Sequence, residues 1–181
     1  LSRLIVAEIA SNHGKISFEQ FMQMALYAPG LGYYSAGQQK FGPNGDFVTA
    51  PEISPLFSQC LAHQCQQVLD NLPAGNLLEF GAGSGRMAVD ILLALEAQNS
   101  LPDTYFILEV SEALANRQQN LFEQEAGHLL SRVSWIDKLP ESFDGIILAN
   151  ELLDAMPVHR FRIGPDGPAE LFVQWDNSKF D

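Results

Sequence analysis

The sequence predicts an α/β fold, a parallel Rossmann-like sheet behind an N-terminal helical and loop segment. Three observations carry that prediction. From Leu77 onward, short apolar runs alternate with amphipathic stretches, the pattern of parallel strands covered by helices. A glycine-rich turn, Gly81-Ala82-Gly83-Ser84-Gly85, sits where the first of those strands meets the first of those helices. Ahead of the alternation, residues 1–72 read as helices and one unusual loop. The division therefore falls between an N-terminal helical and lid segment, 1–72, and a ligand-binding sheet core, 73–181.

The N-terminal elements follow from local signals. Leu4, Ile5, Ala7 and Ile9 mark a short helix within Leu1–Ser11. Ser17 and Gln20 form a capping-box pair that opens a helix running to about Ala28, where Pro29-Gly30 stops it. Phe18, Phe21, Met22 and Leu26 should line its buried side. Residues Gly30–Pro51 hold Gly30, Gly32, Gly37, Gly42 and Gly45 among Tyr33, Tyr34, Phe41 and Phe47. Ordering glycine-rich backbone loses much entropy, so such a loop must pack onto something. The expected place is over the carboxyl ends of the strands, near Gly81 and Asn150, with Glu52 close to Glu151; the alternative is that Phe41 and Phe47 plug the side of the core. Ser54 as N-cap and Pro55 as first residue open a helix to about Asp70, with Leu56, Cys60, Leu61, Val68 and Leu69 apolar.

The core elements come next. Leu77–Phe80 is a strand, and Met87, Ile91, Leu92 and Leu95 mark a helix. Tyr105–Val110 is a second strand, and Ser111 caps a helix reaching about Glu125. Val133–Ile136 and Gly145–Ala149 are further strands. Beyond Pro157, Val158–Ile163 and Glu170–Trp175 flank Gly164-Pro165-Asp166-Gly167, a hairpin.

Composition narrows the function classes. The 181 residues are 46% hydrophobic and 18% charged, enough apolar material for a core and too little charge for wholesale disorder. Ten Lys+Arg against 22 Asp+Glu give a net charge of −12, which repels polyanions and argues against nucleic acid as partner. No apolar run reaches membrane-spanning length, and the N-terminus has no signal-peptide pattern. Cys60 and Cys65 lie about 140° apart on one helix, a poor geometry for a bridge; free thiols suit a reducing cytoplasm. His13, His63, His128 and His159 share no metal spacing, so no metal is expected, and His159 reads as structural in its strand.

The chemistry concentrates at strand ends, where open α/β sheets bind ligands. In Glu79-Phe80-Gly81-Ala82-Gly83-Ser84-Gly85, Gly81 and Gly83 permit a tight turn and a bare backbone, and Gly85 permits close packing at the helix start. The spacing departs from the dinucleotide fingerprint by one residue, since Arg86 follows Gly85. Glu109 ends the next strand, where a carboxylate accepts both hydroxyls of a ribose; the alternative is an exposed acid. Asp137 follows the third strand and suits an adenine amino group, or else a surface turn. Asn150 and Glu151 end the fourth strand and face the reacting end of a ligand. If the segment is helical, Glu151 and Asp154 share one face.

Ile16-Ser17-Phe18, Tyr27-Ala28-Pro29-Gly30-Leu31-Gly32-Tyr33-Tyr34, Gly45-Asp46-Phe47-Val48-Thr49-Ala50-Pro51-Glu52-Ile53-Ser54, Leu78–Gly85 and Ala149–Val158 resemble, in order, motifs of the MidA family. That resemblance implies a class I methyltransferase fold and S-adenosyl-L-methionine as cofactor. Mitochondrial members act in respiratory complex I assembly and are linked to arginine methylation, which implies a protein arginine substrate and, for a eukaryotic chain, the mitochondrial matrix. Family members are roughly twice as long, so the chain reads as truncated at its C-terminus, with four parallel strands and a hairpin where the family sheet has seven strands. A sheet edge left open by truncation should pair with a second copy as a homodimer or stay exposed.

Within that family reading, Gly81, Gly83 and Gly85 cradle the amino-acid part of the cofactor, Glu109 takes the ribose and Asp137 the adenine. The Thr49–Glu52 loop folds over the site and excludes water, Asn150 faces the reacting end, and Glu79 and Thr49 are further cofactor-binding candidates. An arginine substrate keeps its charge, and Glu52, Glu151 and Asp154 are the candidate catalytic carboxylates that align it. Two rivals remain: a methyltransferase-like module that assists complex assembly without turnover, and a nicotinamide-dependent oxidoreductase, against which the glycine spacing counts.

Overall fold

A computed structural model describes residues 1–36, 48–176 and 178–181. In chain order its elements are α1 (Ser2–Ser11), β1 (Lys15–Ser17), α2 (Phe18–Tyr27), α3 (Ala50–Ile53), α4 (Pro55–Leu69), β2 (Asn76–Phe80), α5 (Arg86–Ala97), β3 (Tyr105–Leu108), α6 (Glu112–Glu125), β4 (Val133–Ile136), β5 (Gly145–Leu148), β6 (Arg160–Gly164) and β7 (Gly167–Gln174). The chain divides into two compact units, Leu1–Gln38 with Leu153–Asp181, and Gln39–Leu152.

The unit Gln39–Leu152 is built on a parallel four-stranded sheet in the order β4-β3-β2-β5. Leu77 and Leu78 of β2, Tyr105 and Ile107 of β3 and Leu148 of β5 are buried, as strands with helices packed on them require. On α5, Met87, Ala88, Val89, Ile91, Leu92 and Leu95 are all buried, and this helix packs against both α4 and α6. The helix starts are the expected ones. Ser54 accepts from the Leu56 amide with Pro55 at the first position, and Ser111 accepts from the Leu114 amide. Gly145 opens β5 at φ 154°, and a Cβ there would meet the Asn76 carbonyl oxygen at 1.9 Å. The neighbouring backbone therefore demands glycine at this position.

The buried face of α4 differs from the expected one. Ser58, Ala62, Cys65 and Leu69 face inward, whereas Leu56, Cys60 and Val68 are exposed. Small residues at helical spacing let α4 approach α5 closely, so size rather than hydropathy selected the inward face.

The other unit is a three-stranded sheet, β1-β7-β6, with Ile16 of β1 paired to Val173 of β7. Ile5, Ile9, Ile16 and Val173 form its core, joined by Phe18, Phe21, Met24, Trp175 and Phe180. On α2 it is Met24 rather than Met22 that packs on this core, and no α2 residue is fully buried. The capping box of Ser17 and Gln20 is present in both directions. The hairpin β6–β7 turns at Pro165-Asp166, between paired Gly164 and Gly167. The observed division differs from an expected cut between residues 72 and 73. The hairpin pairs with β1 instead of extending the parallel sheet, and α4 packs on α5. His159 precedes β6 rather than lying in it; it is exposed and pairs with Glu170 at 2.7 Å.

Candidate active site

The strand registers align the candidate residues along one edge of the parallel sheet. Phe80 pairs with Leu108, Leu108 with Ile136, and Glu79 with Leu148. The residues that follow these strands, Gly81, Glu109, Asp137 and Asn150, therefore leave the sheet at the same end. The Gly81 amide donates to the Leu108 carbonyl at 2.9 Å, closing the first turn against β3. Gly81, Gly83 and Gly85 have φ of 62°, 55° and 86°, a left-handed series that only glycine adopts without strain. A Cβ at Gly85 would stand 3.2 Å from Gln118 Cγ and 3.3 Å from its Cα, so the glycine admits α6 to the turn.

Glu109 is held rather than free. Its Oε1 accepts from the Ser111 amide at 2.9 Å, and its Oε2 accepts from Gln118 Nε2 at 3.1 Å. Burial raises its pKa, and those two donors oppose the rise. Each carboxylate oxygen keeps lone-pair capacity for another donor, as a ribose acceptor requires. Gln118 also donates to the Gly83 carbonyl at 3.0 Å and accepts from Trp135 Nε1 at 2.9 Å. Sequence reasoning missed Gln118. The signal for it was present: Leu114, Gln118 and Phe122 stand four apart, which places an amide in an otherwise apolar stripe.

Glu79 points into the core. It is 2% exposed and accepts from Tyr105 Oη at 2.7 Å. Burial pushes its carboxyl up to about 7, the tyrosine hydrogen bond holds it down, and the charge of Glu109 adds to the rise. It therefore senses the charge of Glu109 from within the core.

The segment Thr49–Glu52 runs into α3, with Thr49 partly exposed and Pro51 buried. Ser84 Oγ donates a short hydrogen bond to Glu52 Oε1, so Glu52 sits on the glycine turn. Arg86, two residues on, makes a two-pronged pair with Glu125, 2.7 Å for the Nη1–Oε2 arm, and reaches Asp90 at 3.4 Å. Gly37, Phe41, Gly42, Gly45 and Phe47, on which the expectation of a longer lid or a core plug rests, lie outside the described residues. Asp137 is exposed and Asn150 partly so. Glu151 is exposed with φ 51°, so it stands outside any helix and does not share a helical face with Asp154. Asp154 belongs to the other unit, in a 3₁₀ turn at Leu153–Ala155, near enough to Tyr34 to raise its pKa after burial has done so. In the same unit, Tyr27 Oη donates to the Ala155 carbonyl at 2.7 Å.

Among the described residues, no three His, Cys, Asp or Glu side chains gather to hold a metal, and no helix is long and apolar enough to cross a membrane. Both cysteines are unpaired; burial pushes the Cys65 thiol to about 11, while Cys60 is exposed.

Residues 60–181 match a family described as "Putative S-adenosyl-L-methionine-dependent methyltransferase". A crystal structure from Burkholderia thailandensis bound to S-adenosyl-homocysteine superposes with a TM-score of 0.90 and 44% identity, covering 99% of this chain and 48% of that one. The chain is 31% identical to the mitochondrial protein arginine methyltransferase NDUFAF7 of Mus musculus, over 93% of this chain and 44% of that protein. Its identity to the Caenorhabditis elegans homolog is 28%, over 96% and 46%. The chain thus spans less than half the length of these relatives.

Proposed function

Because the chain belongs to the MidA family of S-adenosyl-L-methionine-dependent methyltransferases, we propose that it forms the cofactor-binding part of an enzyme that methylates arginine side chains of a protein. The observation that carries this reading is the alignment of Gly81, Glu109 and Asp137 at one end of the parallel sheet, with Glu109 held by Ser111 and Gln118. The residues present fit the cofactor. A left-handed glycine turn offers bare backbone to an amino-acid moiety, Glu109 offers acceptors to a ribose, and Asp137 offers one to an adenine amino group. Glu79, Thr49 and Asn150 complete the proposed cofactor-binding set.

Bound S-adenosyl-L-methionine supplies an activated methyl on a sulfonium, so the protein's task is orientation and electrostatics. Glu52, tied to the glycine turn through Ser84, is the first carboxylate for the substrate guanidinium. It would align the cation and draw positive charge away from the nitrogen that attacks. Glu151 is the second proposed carboxylate in this unit, and Asp154 is the candidate carried by the other unit. The arginine substrate is supported by the names of the relatives, which are protein arginine methyltransferases. The unpaired cysteines suit a reducing compartment, a bacterial cytoplasm or, for a eukaryotic chain, the mitochondrial matrix. The outer edge of β5, with Ile147 exposed, is the surface through which a homodimer would form.

Calorimetric titration of the full-length protein with S-adenosyl-homocysteine tests the cofactor site. We expect saturable binding that disappears in Gly83→Val while circular dichroism stays unchanged. A wild type that does not bind, or a variant that binds equally well, overturns the reading. Transfer of labelled methyl to arginine in a protein acceptor then separates an enzyme from an assembly module without turnover.

A further inference from the structure

Gln118 is a fully buried polar side chain of the parallel-sheet unit held by three hydrogen bonds. It is 0% exposed, in a stripe otherwise made of Leu114 and Phe122. A carboxamide buried there costs stability unless every donor and acceptor is met. All are met: Nε2 donates to the Gly83 carbonyl at 3.0 Å and to Glu109 at 3.1 Å, and Oε1 accepts from Trp135 at 2.9 Å. The indole N–H can only donate, so it fixes which end of the amide carries oxygen and turns the NH₂ toward the turn and the carboxylate. Gly85 completes the arrangement, since any side chain there would collide with Gln118.

From this geometry we propose that Gln118 is a positioning residue for the cofactor. It clamps the ribose-accepting carboxylate of Glu109 to the glycine turn, so that both halves of the site are set by one amide locked on Trp135. The inference rests on Glu109 as ribose acceptor. Glu109 then presents one oxygen braced by Ser111 and one braced by Gln118, each with a lone pair facing outward for a hydroxyl. Removing the amide does two things. It frees the carboxylate to rotate, and it withdraws a donor that favours the charged form in a site where burial favours the neutral one. The titratable group that senses Glu109 from β2 is Glu79, with Tyr105 of β3 and Cys65 of α4 behind it. From α6 the group in contact is Gln118 itself, with Trp135 of β4 bonded to Gln118 behind it, and neither titrates.

The test is the pH profile of S-adenosyl-homocysteine affinity, measured by calorimetry on the full-length protein from about pH 4.5, the ordinary carboxyl value, up to about pH 8. Gln118→Met keeps the side-chain length and removes both polar ends. It should bind about tenfold more weakly at the alkaline end, the scale of one hydrogen bond to a charged group. The deficit should widen as pH falls, because Glu109 takes up its proton at higher pH than in the wild type. In a Glu109→Gln background the same change should lose that pH-dependent part. A uniform loss at every pH, or no loss, overturns the proposal while leaving the cofactor site standing. A wild type that fails to bind overturns the cofactor reading itself. Should Gln118→Met not fold, Trp135→Phe carries the test. It keeps an aromatic ring against Phe122 but removes the donor that locks the amide. We expect a weaker loss with the same pH trend, and a flat profile overturns the proposal.

Discussion

Glu79 sets the cost of solvation against its own charge. Its carboxyl, ordinarily near 4.5, is pushed up to about 7 by burial, with Tyr105 pulling down and Glu109 pushing up. The sign of the linkage follows. Below about pH 4.5 both the folded and the unfolded chain hold this proton, and the stabilisation is fully present. As pH rises toward 7 the unfolded chain releases the proton first, and stability is lost at up to about 1.4 kcal/mol per pH unit. Glu79→Gln keeps the acceptor for Tyr105 and cannot ionise. Urea unfolding of cofactor-free protein at about pH 5 and pH 8 should show the wild type losing more stability than the variant over that interval. Equal losses would show that Glu79 keeps its charge without penalty. At this scale the sequence marks Gly81, Gly83 and Gly85 by their strand–turn–helix context and Glu109 and Asp137 by their places just past β3 and β4. Gln118 and Tyr105 stayed hidden, since their roles arise from partners 35 and 26 residues away in the chain.

Elements were legible wherever a local rule governs them. The capping box at Ser17 and Gln20, Pro55 after Ser54, and the Met87-Ile91-Leu92-Leu95 face of α5 all stand where sequence rules place them. The face of α4 was not legible, because the large apolar residues Leu56 and Val68 point outward while the small Ser58, Ala62 and Cys65 share the inward face with Leu69. Packing distance between two helices is a tertiary quantity, and hydropathy carries no record of it. Ala62, 0% exposed, sits in that close contact. Ala62→Leu should destabilise the protein by about 1–3 kcal/mol through overpacking, read from the midpoint of thermal or denaturant unfolding. An unchanged midpoint would mean that α4 can retreat at little cost.

At the scale of the whole molecule, the alternation of strands and helices announced a parallel sheet but not its order. The chain returns past β3 and β4 so that β5 pairs with β2, placing the reversal of strand order between β2 and β5. Of the segment expected as a lid, Thr49–Glu52 lies among the described residues, and there Glu52 accepts from Ser84, a contact that only the folded chain could reveal. Gly145 is the hinge of that topology, since a Cβ there would strike the Asn76 carbonyl. Gly145→Ala should therefore loosen β5 selectively. Hydrogen exchange would show faster exchange at Ile146–Leu148, with the β2–β3 amides still protected; uniform protection would show that the strands can part to admit the methyl. That same pairing also sets an order of assembly. β2, β3 and β4 join through short crossovers, whereas Asn76 meets Gly145 only by closing a span of 69 residues, and distant contacts form after near ones. On a ribosome, the glycine turn and the acids after β3 and β4 would thus be in place before the strand that brings Asn150. Such an early state would already present the glycine turn, the acids after β3 and β4 and Glu52 on Ser84, and would lack only what Asn150 and Glu151 bring.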